Sequence, residues 1–559
     1  MPSEPAVISK SRLWVRLLIV FVIGFDVAAF WQWMGGAYES EFGARPDEGA
    51  QYVAGRYARD VIAQSWRFRG GSPDAAIVDG DRDGAGSALE RYSIAPGRVW
   101  PPGFAVVQSA WYAVFGGSRL SVLLLLAALA AGVTTLLYGA VCREFGGWAA
   151  MAGALLWLCA SLVRESYGMV MPAMLGTFAM LGATLAWGRF LDEGRARDAI
   201  WFGILAALAV LTEAAGLALG LMAAGSLAAS WRWRRLANWA PWVAAILIVA
   251  AGLFVHAPRF PELVSAVRPT FAQAAAFYGA TIAFSAGIAV TAFAIAGICF
   301  RVFSRGERRG RAAAIPGLVL SVFAYHCVFP DRLDASHGVA AAAGLILLAV
   351  AGAKSVAALM LSRVADARVR NRREFLWMLL LVLLVVPFEI ARFQPKGWPF
   401  EVAIFQPKGC EGFGPFARLL LAEAPRGSRI LVASNATGEG MFISEIAMND
   451  RGTDLAVETA SALLVTPGNR SGDPRLWRER FVDDARLVDY LASGRFQYII
   501  LDDALPYKER PSYHDQLRKV LEDHVQTFWP LADSPISRAG ELFGRPARLY
   551  RVRNTQQSQ

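Results

Sequence analysis

Two adjacent carboxylates are the first side chains in this sequence whose type and place could do chemistry. Asp47 and Glu48 stand in Arg45-Pro46-Asp47-Glu48-Gly49-Ala50-Gln51-Tyr52. They precede Ala50, Val53, Ala54, Tyr57 and Val61, whose three-and-four spacing marks the apolar face of a helix lying on a membrane surface. A carboxylate there can take a proton from an attacking hydroxyl. It can also cap the helix, because the first N–H groups lack partners and the dipole favours negative charge. The residues alone leave both roles open, and one side chain can fill both. The acidic run Asp79-Gly80-Asp81-Arg82-Asp83-Gly84 has the oxygen content of a calcium loop and is read here as a solvated turn. Gly438 and Gly440 follow a strand-like run at a spacing that matches neither dinucleotide nor phosphate-loop fingerprints, and they read as a strand-to-helix turn. The five cysteines show no disulfide framework and no zinc spacing, so no metal ligand set is expected.

The elements that must hold these residues are written for a bilayer. Of 559 residues, 55% are hydrophobic and only 18% charged, a balance that a water-soluble chain of this length would struggle to keep in solution. The net charge of +10 is spread in short Arg clusters between apolar runs, which speaks for membrane orientation and against a nucleic-acid partner. Arg12 and Arg16 precede an apolar run from about 17 to 33, long for a signal-peptide core and without a small-residue cleavage site. A retained first helix is expected. Further spans are expected at about 118–141, 147–163, 167–190, 237–255, 272–302, 312–329, 335–361 and 373–392. The stretch 199–230 contains Glu213 and Gly216, costly in mid-bilayer, and reads as a hairpin of two short helices with Glu213 at its tip. Loops rich in Arg then alternate with poorer ones holding Arg164, Arg259, Arg268 and Arg332, and about 11 transmembrane helices follow.

This count puts the N-terminus in the cytoplasm, with the loop 35–117 and the tail on the outer side of a bacterial inner membrane. The fold class expected is a polytopic α-helical membrane protein, a transmembrane module over 1–392 followed by a periplasmic α/β domain over 393–559. In the outer loop, Phe104–Phe115 is too short to span and is expected to skim the interface. In the tail, strands are expected at 429–434, 496–501 and 547–552, with helices near 440–448, 487–493 and 513–524. The near-repeat Phe393-Gln394-Pro395-Lys396-Gly397 and Phe405-Gln406-Pro407-Lys408-Gly409 reads as two turns of a linker.

The order of parts carries a resemblance. A first span is followed by Pro46-Asp47-Glu48 with Tyr52 close behind, then Val99-Trp100-Pro101-Pro102-Gly103-Phe104, then Phe115-Gly116-Gly117-Ser118-Arg119-Leu120 at the second span. This resembles the membrane glycosyltransferases of the GT-C fold, nearest the branch of protein O-mannosyltransferases and lipid A aminoarabinose transferases (glycosyltransferase families 39 and 83). The likeness covers about the first 220 residues, and the later spans by topology. It implies transfer of a sugar from a polyprenyl-phosphate donor to an extracytoplasmic acceptor (lipid, glycan or protein), with inversion. It places the general base on Asp47, with Glu48 beside it. A sugar phosphate already has a good leaving group, so one base and some positive charge suffice. No cofactor is then required, while a divalent cation is left open. Donor and phosphate contacts are expected from Tyr52, Arg98, Arg164, Arg332 and His337, although a lone Arg at a span end more often anchors to lipid headgroups.

Departures from the family pattern are plain. Val99-Trp100 stands where relatives of the aminoarabinose-transferase type carry Glu-Lys, Glu213 where a Lys is common, and Met171-Pro172-Ala173 where many relatives carry an acidic residue. Two other readings are a lipid-linked transporter with a periplasmic binding domain and a catalytically inactive membrane scaffold. The transporter calls for ionisable groups in mid-span and internal repeats, and neither is visible.

Overall fold

Apolar runs of spanning length become helices wherever no Gly or Pro turns the chain. In the computed structural model, the described residues are 10–45, 47–70, 101–256, 270–285, 287–303, 309–329, 333–361, 367–390, 411–450, 453–466, 475, 477–538, 541–542 and 545–553. The first half runs α1 (Lys10–Met34), α2 (Glu48–Gly70), α3 (Pro102–Phe115), α4 (Arg119–Phe145), α5 (Gly147–Cys159), α6 (Ser161–Gly168), α7 (Ala173–Glu193), α8 (Ala196–Thr212), α9 (Ala218–Ser230) and α10 (Ala240–His256). It continues as α11 (Phe271–Ser285), α12 (Ile288–Phe303), α13 (Arg309–Val328), α14 (Val339–Met360) and α15 (Ala367–Ile390).

Five helices are long and apolar enough to cross a membrane among the described residues, or seven if two bent pairs each make one span. Ala214–Ser230 and Ala240–Val255 are shorter apolar helices. The expected hairpin at 199–230 is present, with Glu213 between its arms. The single span expected at 272–302 is instead two helices, α11 and α12, bent by 99°, with Gly287 (φ +84°) at the corner. The run 147–163 likewise breaks by 60° between α5 and α6. The division at 392/393, the linker repeat and the Asp79–Gly84 turn lie outside the described residues.

Small residues let the spans touch backbone to backbone. A Cβ on Gly297 of α12 would lie 2.1 Å from the Leu348 carbonyl oxygen of α14, and one on Gly352 would lie 1.9 Å from the Phe293 carbonyl oxygen. The central helix α14 is consequently buried along most of its length.

The tail adds α16 (Gly414–Glu423), β1 (Arg429–Ala433), α17 (Ala436–Asn449), β2 (Ala456–Thr459), α18 (Asp484–Ala492), β3 (Tyr498–Leu501), α19 (Tyr513–Asp523), β4 (Phe528–Ser534) and β5 (Ala547–Val552). These strands form one sheet in the order β2-β1-β3-β5-β4, parallel across β2, β1 and β3 and antiparallel beyond. Alternation along the strands sends side chains to two faces. Ile430, Val432 and Ile500 join a core continuous with the membrane module through α16 and α17, while Leu431, Ala433, Ile499 and Leu501 face a second core with α18 and α19.

The tail sits on the loop that follows α1. Glu41 accepts three backbone N–H groups at the start of α16, from Gly412 (3.0 Å), Phe413 (3.1 Å) and Gly414 (2.7 Å). Arg119 pairs with Glu445 of α17. A Cβ on Gly49 of α2 would lie 2.2 Å from the Gly440 carbonyl oxygen of α17. The start of α2, expected on a membrane surface, is therefore covered by protein, and Gly49 and Gly440 are what let the two helices approach so closely.

Candidate active site

Asp47 immediately precedes α2, and its carbonyl accepts the Gln51 N–H at 3.0 Å. Its side chain is half-buried. Two ties flank it. On one side Glu48, 3% exposed, accepts the Ala44 N–H (3.0 Å) and the Val170 N–H (2.9 Å), the latter from the turn between α6 and α7. Burial pushes the Glu48 carboxyl up to about 7, although the Val170 and Ala44 N–H groups pull the other way. On the other side Arg45 donates to Glu165 of α6 at 2.5 Å and lies 3.6 Å from Asp334. Asp334 in turn accepts the Ser336 N–H at 2.8 Å, ahead of α14. Burial raises the Asp334 carboxyl, but Arg45, His337 and Ser336 together outweigh it and hold the group below its ordinary value.

His337 continues this cluster. Its Nδ1 is 3.2 Å from the Tyr278 hydroxyl of α11, and its ring stacks on His326 of α13 at 4.7 Å and 3°. Glu213 approaches from the hairpin tip, where a Cβ on Gly176 of α7 would lie 3.2 Å from its carboxyl carbon. Burial, with Asp334 adding to it, pushes Glu213 up to about 8.

Of the residues singled out in the sequence, the structure brings Asp47, Glu48 and His337 to one region, joined through Arg45 and Asp334. Arg164 neighbours Glu165 on α6, but its guanidinium lies over the Trp31 ring at 4.9 Å. Tyr52 is fully buried between Phe42 (5.1 Å) and Tyr112 (5.9 Å) and donates to the Gly117 carbonyl. That places it in the packing of α2 against the entry to α4, one turn beyond Glu48. Arg98 and Arg332 lie outside the described residues. The sequence reading gave no role to Arg45, Glu165, Asp334, Tyr278 or His326. Arg45 stood inside the quoted motif, and Glu165 and Asp334 follow arginines at span ends, so charge at span ends was the usable signal. Among the described residues no group of three or more His, Cys, Asp or Glu is arranged to hold a metal ion.

The arrangement presents a half-buried Asp47 on a fixed backbone, beside the Arg45 guanidinium that Glu165 and Asp334 hold. Comparison with curated proteins finds no match. A family model described as dolichyl-phosphate-mannose-protein mannosyltransferase matches residues 99–257. Among solved structures the chain is similar to ArnT from Cupriavidus metallidurans in the apo state, with TM-score 0.56 and 12% identity over 98% of this chain and 99% of that one. It is also similar to the same protein bound to undecaprenyl phosphate, with TM-score 0.54 and 12% identity over 97% of each chain. The likeness runs through the helices and the tail alike, and the fold is the GT-C fold of membrane glycosyltransferases.

Proposed function

We propose that this chain is a multi-pass membrane glycosyltransferase that moves a sugar from a polyprenyl-phosphate donor to an extracytoplasmic acceptor, with Asp47 as general base. The observation that carries the reading is the double tie around Asp47, Arg45 to Glu165 and Asp334 on one side and Glu48 to Val170 on the other. Holding a reacting group in place is worth a large share of a barrier, and these ties fix the backbone on either side of the half-buried Asp47. The family model of mannosyltransferases and the undecaprenyl-phosphate complex of ArnT support the donor class.

In this reading the acceptor oxygen bonds to the anomeric carbon as the bond from that carbon to the phosphate oxygen breaks. The electron pair leaves with the phosphate, and the acceptor proton passes to Asp47. Attack opposite the phosphate inverts the anomeric centre. Arg98 and Arg332 supply positive charge near the departing phosphate, with His337 as a further contact. The tail and the first outer loop occupy the extracytoplasmic side of an inner membrane, and the tail domain of 393–559 roofs the loop. No cofactor enters the step.

The test is transfer of labelled sugar from polyprenyl phosphate by the purified chain. Asp47→Asn is expected to lower kcat by about 10²- to 10⁴-fold. Unchanged transfer would remove Asp47 as the base, and a wild-type chain inert with every donor tried would favour the scaffold.

A further inference from the structure

One acidic residue stands inside an otherwise apolar span. Asp26 lies within α1 and is the only charged residue between Arg16 and Glu39, so the expectation that no span holds an ionisable group near its middle fails here. Trp14 and Trp33, both exposed, bracket the run 19 residues apart, about 28 Å along a helix axis, which matches the hydrocarbon thickness and the depth at which indoles settle. Asp26 is seven residues from Trp33 and so sits about 10 Å inside that boundary. Lysine and arginine can carry a charge such a distance to the surface on a long stem. Aspartate, with one methylene, cannot.

Asp26 also faces away from its own chain. α1 packs on α4 through Leu17 and Gly24, where a Cβ on Gly24 would lie 3.5 Å from the Ala131 Cα and a Cβ on Gly139 would lie 3.4 Å from Leu17 Cδ2. Two residues on from Gly24, at about 100° each, Asp26 points to the opposite side, and it is exposed. Among the described residues no hydrogen bond or ion pair reaches it. It stands in a stripe of Val15, Ile19, Val22, Asp26, Ala29 and Trp33, set at alternating steps of four and three residues, the spacing at which one helix lies along another. Val15, Ile19, Val22 and Trp33 are exposed with it.

We propose that this face of α1 docks a transmembrane helix of another membrane protein, one with a lysine or arginine in mid-span that pairs with Asp26. Charge selects the occupant. Lipid chains offer an acidic group neither a hydrogen bond nor a counter-charge, and ionisable residues inside a bilayer are found paired or facing a cavity. A second copy of this chain, set side by side about a twofold axis, would bring Asp26 to Asp26, acid against acid. A basic helix matches both the depth and the sign, and a single polar pair in an apolar seam fixes the register of the two helices. The proposal stands apart from the transfer reading and uses no residue around Asp47.

The experiment places the full chain, labelled with a donor fluorophore, in phosphatidylcholine vesicles with an acceptor-labelled synthetic span of leucine and alanine that carries lysine, leucine or glutamate at its middle, and reads energy transfer. The lysine peptide is expected to associate about tenfold more tightly than the leucine peptide. Asp26→Leu, which a bilayer tolerates better than the acid, is expected to bring the lysine peptide down to the level of the leucine peptide. Asp26→Glu is expected to keep most of the preference. Equal association of the lysine and leucine peptides with the wild type would overturn the proposal, as would a preference that survives Asp26→Leu. Tighter association of the glutamate peptide, or pairing of the chain with itself that Asp26→Leu abolishes, would overturn it too, by assigning the face to the acid-on-acid contact that a second copy makes.

Discussion

Arg45 is the residue on which the candidate site turns, since it meets two carboxylates from distant parts of the chain, Glu165 and Asp334. Removing one of them leaves the loop attached by a weaker tie. Glu165→Gln is expected to lower kcat by roughly 10- to 100-fold with little change in KM, because a carboxylate displaced by about 1 Å loses that much. Equal falls in kcat and 1/KM would point to lost donor binding instead. Glu48 gives a second test through pH. Its carboxyl ionises near 4.5 ordinarily and near 7 in the fold, so the folded chain holds the proton more tightly. Its contribution to stability is therefore full below about pH 4.5 and is lost as pH rises through about 7. Thermal unfolding should come earlier at about pH 8 than at about pH 5, and Glu48→Gln should flatten that slope. Asp47 and Glu48 were legible because both lie in one short motif. Asp334 and Tyr278 were not, since their partners Arg45 and His337 lie far away in the chain and only tertiary packing joins them.

At the scale of elements, apolar length told most of the story, and its failures have local causes. The run 272–302 shows no charge at its middle, so the corner at Gly287 left no polar mark. In the tail, β1, β3 and β5 were visible as apolar runs of β-formers. Strand β4 was not, because Pro530 and a register shift before Ala532 interrupt it, as an edge strand tolerates. β2 is four residues long and carries Glu458, which pairs with Arg429 and Arg495. The helix beginning at Glu48 was readable from its three-and-four face, but its cover was not, since the signal is a glycine on each side. Gly49→Val pushes a branched side chain against the Gly440 backbone and is expected to destabilise by about 1–3 kcal/mol. Limited proteolysis should then cut the tail faster in the variant than in the wild type.

For the whole molecule, the tail and the membrane module share one continuous core on one face of the sheet, so neither is a free-standing half. Glu41 is the polar counterpart of that union. Glu41→Ala leaves three buried N–H groups unmatched, a cost of about 1–3 kcal/mol for each group that water does not reach. Amide exchange in Gly412, Phe413 and Gly414 is expected to quicken while the spans keep their protection. Exchange unchanged in those residues would mean that the docking rests on packing alone.

The partners of Glu41 stand 371, 372 and 373 residues further along the chain. A ribosome therefore makes the clasp long after it makes the loop, and Glu41 of the nascent protein waits for its three partners until the tail is translated. Assembly in that order leaves the Glu41 carboxylate without these N–H groups in any product released before residue 412.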